Sequence, residues 1–61
     1  MVDLKVEREK KGMTQQELAD KVGVVRQTIS MIEMGQNKPS VELAKKIGKV
    51  LKFKWVNFFK D

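Results

Sequence analysis

Residues 14–34 read TQQELADKVGVVRQTISMIEM, and this stretch decides the fold. Thr14 is followed three residues later by Glu17, a spacing that closes a capping box and starts a helix. Leu18, Ala19 and Val22 then form an apolar stripe at helical spacing, and Gly23 offers the left-handed conformation that ends a helix. A second periodic run covers about Val25 to Met34 and stops at Gly35. Only Gly23 and Val24 separate the two.

So short a connection does not let two helices lie antiparallel. They cross steeply, as a helix-turn-helix does, and the motif is expected over about residues 15–34. The crossing needs a small residue at the closest approach, where Ala19 stands, and an apolar inner corner, supplied by Leu18, Val22, Val24, Ile29 and Ile32. At about 100° per residue, Val25, Ile29 and Ile32 face the core of the second helix. Gln27, Ser30, Met31 and Met34 share the opposite face, with Arg26 and Thr28 beside it.

Working outward, Val2–Lys11 reads as a first helix ending at Gly12, with Lys10 and Lys11 suited to the negative end of its dipole. Asn37-Lys38-Pro39-Ser40 reads as a turn whose Ser40 caps a further helix, Val41–Leu51. Gly48 weakens that helix unless close packing requires it. A short fifth helix is expected over about Trp55–Phe59. The expected class is all-α, a compact five-helix bundle forming one domain over residues 1–61.

The chain has 61 residues, no cysteine, no histidine and a net charge of +5. Disulfide frameworks and nearly all zinc sites are therefore excluded, and no metal or cofactor is expected. A basic balance points to polyanions, nucleic acid before an anionic membrane surface; a lysine-rich solvated face is the plainer alternative. Lys45, Lys49 and Lys52, on one face of the fourth helix, read as such a face. No apolar run approaches a membrane span, and the charged first eleven residues do not resemble a secretion signal, so a cytoplasmic location is expected. Catalysis is not expected: no carboxylate pair is placed in a plausible cleft and the chain is short for a substrate pocket.

The outer face of the second periodic run suits a DNA major groove, where Arg pairs with guanine and Gln with adenine through two hydrogen bonds each. Arg26, Gln27, Ser30 and Met31 are the candidate base readers. Met31 and Met34 could touch thymine methyl groups or simply be half exposed. Helix starts offer free backbone donors to phosphate. Thr14, Gln15 and Gln16 stand at one start, Gln36, Asn37, Lys38 and Ser40 near another, and Thr28 beside the groove face; these are the candidate backbone contacts. Arg8 and Glu33, each flanked by apolar positions, are expected to form a half-buried ion pair. All four aromatics fall within the last nine residues. Phe58 and part of Trp55 are expected to close the core, leaving Phe53, Trp55 and Phe59 as candidates for a homodimer interface.

These residues together resemble the Cro/CI helix-turn-helix family, also named for the xenobiotic-response element. The carriers are Arg8, Gly12, Thr14-Gln15-Gln16-Glu17-Leu18-Ala19, Val22-Gly23-Val24, Arg26-Gln27-Thr28-Ile29-Ser30, Ile32-Glu33, Gly35, the Asn37–Ser40 turn and Phe58-Phe59. The resemblance spans about Leu4 to Phe59. It implies a five-helix DNA-binding domain of a prokaryotic or phage regulator, usually a dimer on a palindromic operator. It also implies phosphate contact at Gln15, base contact at Arg26, Gln27 and Met31, backbone contact at Thr28, and pairing of Arg8 with Glu33. Three positions depart from the pattern: Val25 and Lys54 replace the usual Ser or Thr caps, and Glu7 stands where a small or apolar residue is common. A repressor of transcription is the leading reading. An antitoxin, or a protein-interaction module that has lost DNA binding, is the alternative; the polar face of residues 26–30 argues against the latter. No small-molecule effector is expected.

Overall fold

The computed structural model describes residues 2–59. Among them lie four α-helices, α1 (Leu4–Lys10), α2 (Gln15–Val22), α3 (Arg26–Glu33) and α4 (Val41–Leu51), and no strand. The expected fifth helix is not α-helical. Trp55–Phe59 forms a single 3-10 segment, η1, in which Asn57 N–H donates to the Lys54 carbonyl three residues back. Five residues without a side-chain cap at their start do not sustain α-helical pairing, so the bundle has four α-helices, not five.

Local chemistry sets each boundary. Asp3 accepts from Val6 N–H at 3.3 Å and holds an extended backbone, so α1 begins at Leu4 and not at Val2. Thr14 and Glu17 exchange the two hydrogen bonds of the capping box, at 2.9 and 3.0 Å. Gly23 ends α2 with φ +79°, a conformation that costs any residue with a Cβ about 1–2 kcal/mol. Ser40 Oγ accepts from Leu43 N–H at 3.1 Å and opens α4. Val25 holds the extended geometry of an N-cap without a side-chain bond to offer. Val25 is 68 % exposed and does not join Ile29 in the core, contrary to the helical-phase reading.

Leu4, Leu18, Ala19, Val22, Ile29, Ala44, Ile47, Leu51 and Phe58 form the core. Ala19, in α2, is fully buried. Met13, Val24, Ile32, Leu43, Val50, Phe53 and Trp55 pack around that core. Gly48 is buried because the chain returns over α4: a Cβ there would lie 2.8 Å from the Phe53 carbonyl oxygen. The described body measures 26 × 21 × 19 Å.

Candidate nucleic-acid interface

The packing of Ile29 into the core decides which way α3 faces. Ile29 is fully buried, Ile32 and Thr28 are partly buried, and the opposite side meets solvent. Arg26 and Gln27 are exposed, Ser30 and Met31 half-exposed, and Met34 is 61 % exposed. The outward face is therefore mixed: a cation, an amide and a hydroxyl toward the helix start, two thioethers toward its end.

Behind this face runs a hydrogen-bonded chain anchored in the protein interior. Arg8 donates from Nε to Glu33 Oε2 at 2.7 Å and from Nη2 to Oε1 at 3.2 Å, a two-point ion pair linking α1 to α3. Arg8 Nη1 also donates to the Met13 carbonyl at 2.7 Å. Both side chains are nearly removed from water, at 10 % and 5 % exposure. The hydrogen bonds that Arg8 donates to Glu33 hold its guanidinium above its ordinary pKa despite the opposing effect of burial.

Glu33 Oε1 has a second donor. Gln15 Nε2 reaches it at 3.0 Å, and the other end of the same amide, Oε1, accepts from Arg26 Nη1 at 3.2 Å. A carboxylate only accepts, so Glu33 fixes which end of the amide faces it, and the oxygen is left for Arg26. The chain Arg8–Glu33–Gln15–Arg26 thus connects a buried charge pair to an exposed guanidinium. Periodicity could not have found it, since Gln15 and Arg26 belong to different helices and are eleven residues apart.

The other candidate residues lie at the start of α2 and in the loop after α3. Thr14 Oγ1 is occupied by its cap, and Gln16 donates to Asp20 on the next turn of α2 at 2.8 Å. Gln36, Asn37, Lys38 and Ser40 are exposed, while Pro39 between them is buried. Asn37 Nδ2 lies 3.8 Å from Met31 Sδ, and the backbone N–H groups of Gln36 and Asn37 donate to the Met31 carbonyl at 2.9 and 3.4 Å. The loop after α3 is therefore fastened to the outward face of that helix at Met31.

The C-terminal aromatics form a separate group. Phe58 is buried and meets Phe53 edge-on, with ring centroids 5.4 Å apart. Trp55 meets Phe59 edge-on at 6.2 Å, and Lys45 Nζ lies 5.2 Å from the Trp55 ring centroid. Lys45 therefore shields an aromatic face besides meeting solvent. Phe53 and Trp55 are half-buried against the core and Phe59 is 41 % exposed.

Comparison with known proteins agrees with this architecture. A family model described as Helix-turn-helix matches residues 4–56. An uncharacterized HTH-type transcriptional regulator of Bacillus subtilis (strain 168), YqaF, is 48 % identical over 58 residues, covering 95 % of this chain and 76 % of that protein. An uncharacterized HTH-type transcriptional regulator of Archaeoglobus fulgidus is 58 % identical over 43 residues. That match covers 70 % of this chain but 61 % of the archaeal protein, under two thirds of its length. The N-terminal DNA binding domain of SinR from Bacillus subtilis superposes with a TM-score of 0.83 at 30 % identity, covering 95 % of this chain and 86 % of that domain. With a family model matching nearly all of it, regulators as its relatives and a DNA-binding domain as its structural neighbour, the chain belongs to the Cro/CI-type helix-turn-helix family of transcriptional regulators.

Proposed function

We propose that the chain is a repressor that binds a palindromic DNA operator as a homodimer, with α3 in the major groove. The single observation that carries this reading is the outward face of α3: Arg26 and Gln27 stand exposed on the first turn, where a recognition helix meets base edges. Arg26, Gln27, Ser30 and Met31 are assigned to base readout. Thr14, Gln15, Gln16, Thr28, Gln36, Asn37, Lys38 and Ser40 are assigned to the phosphate backbone, with Gln15 also holding Arg26.

Size supports the dimer. The longest dimension of the described body, 26 Å, is shorter than one turn of duplex, roughly 34 Å, so one copy addresses one half-site. Phe53, Trp55 and Phe59 are assigned to the two-fold interface. Among the described residues no helix is long and apolar enough to cross a membrane, in keeping with action on DNA in the cytoplasm.

Selection from random duplexes, followed by titration at several salt concentrations, tests the reading. A symmetric site is the expected product. Arg26→Ala then relaxes preference at one base pair per half-site, whereas Lys38→Ala weakens every sequence alike and lowers the salt slope by about one. Equal affinity for all duplexes would overturn it.

A further inference from the structure

We propose that Met31 and Met34 read the 5-methyl groups of thymine, so that each half-site contains thymines beside the base pair addressed by Arg26; this rests on the groove-binding reading above. Gln27, Ser30, Met31 and Met34 share one helical face, opposite Ile29, which the core buries completely. Half of that face is thioether. Met34 is 61 % exposed and is absent from the core and from the residues packed against it. Its position is thus not explained by the folding of this chain.

A thioether sulfur is a weak acceptor and donates nothing, so these side chains discriminate poorly among the polar groups of base edges. The major groove presents one apolar feature, the thymine methyl group. A flexible, polarisable thioether suits contact with it. The two methionines are three residues apart, about 4.5 Å along the helix axis. Base pairs stack about 3.4 Å apart, so neighbouring steps lie within reach of the pair.

Met31 is also held in place before any contact forms. Its carbonyl accepts from the N–H groups of Gln36 and Asn37, and its sulfur faces the Asn37 amide at 3.8 Å. The same loop that fastens Met31 holds Lys38, which is exposed, and an exposed cation there suits DNA rather than an apolar protein partner. The net charge of +5 points the same way.

The probe is the duplex most enriched from a random pool, compared with copies in which each thymine in turn is replaced by deoxyuridine. This change removes one methyl group and leaves every hydrogen bond intact. The expected result is about fourfold weaker binding per methyl at one or two positions in each half-site. At those positions cytosine weakens binding and 5-methylcytosine restores part of it. In Met31→Gln or Met34→Gln, checked for folding by thermal melting, the deoxyuridine penalty disappears at the position each residue faces. Unchanged binding by every deoxyuridine duplex would overturn the inference while leaving sequence-specific binding intact. So would a penalty of the same size in both variants. If no duplex is enriched, the groove-binding reading fails and this inference falls with it.

Discussion

Gly48 approaches the backbone of Phe53 so closely that a Cβ at position 48 would lie 2.8 Å from the Phe53 carbonyl oxygen and 3.2 Å from Trp55 N. Alanine in a helix interior is ordinarily favoured over glycine by about 1 kcal/mol. Here the obstructing atoms are backbone atoms of Phe53 and Trp55 and the Trp55 Cβ, none of which can swing aside. Gly48→Ala is expected to destabilise the fold by about 1–2 kcal/mol net, combining a gain in propensity with an overpacking cost. Urea unfolding followed by circular dichroism measures it, and a stabilised variant would show that residues 53–55 yield easily.

The Arg8–Glu33 pair is expected to behave as a buried unit. Removing one partner by Arg8→Met or Glu33→Leu leaves the other group desolvated, at a cost of about 3 kcal/mol. A domain this small commands only about 3–5 kcal/mol, so either single variant should be partly unfolded at room temperature. Arg8→Met combined with Glu33→Leu is expected to recover most of the loss. A denaturation cycle over the four proteins reads the coupling, and additive losses would contradict it.

Gln15→Leu separates two roles for one side chain. If its main effect is to hold Arg26, discrimination at the base pair faced by Arg26 falls severalfold, while the salt slope is unchanged because no charge is lost. Stability should fall by only about 1 kcal/mol, since Glu33 keeps Arg8. Uniform weakening on all sequences would instead assign Gln15 chiefly to the phosphate backbone.

Val25→Thr should stabilise the protein. Position 25 already has N-cap geometry, at φ −78° and ψ 153°, and its side chain contributes no cap hydrogen bond. A threonine hydroxyl supplies the missing acceptor, for about 1 kcal/mol, and little apolar burial is lost because Val25 is 68 % exposed. A melting temperature that does not rise would count against this account of the start of α3.

Phe59 tests the dimer. It is 41 % exposed and touches its own chain edge-on through Trp55. Sedimentation equilibrium at micromolar concentration should give twice the chain mass for the parent protein. Phe59→Lys should shift this toward one chain mass, with its circular dichroism spectrum retained. A parent that remains monomeric under these conditions would remove Phe59 from the interface.

The elements most legible in the amino-acid order were those set by short-range chemistry. Thr14 and Glu17 announce the start of α2, Ser40 that of α4, and Gly23 the turn between α2 and α3, because each works within a few residues. Helical phase placed Ile29 in the core but misplaced Val25. The phase rule assumes a helical backbone, and Val25 is extended. Trp55–Phe59 carried a helical pattern too short to distinguish 3-10 from α pairing. The Gln15 bridge and the cover of Trp55 by Lys45 join side chains from separate elements, and no local spacing encodes such meetings.

The fixed orientation of the Gln15 amide constrains how this regulator can diverge. While Glu33 holds its nitrogen, position 26 faces an oxygen and accommodates a side chain able to give a proton to it, such as arginine, lysine, asparagine or glutamine. Under the proposed reading, substitutions among these four would change the base preference while keeping the bond to Gln15. An acidic residue there would lose the bond and set a carboxylate beside that oxygen, so position 15 biases which side chains position 26 takes up.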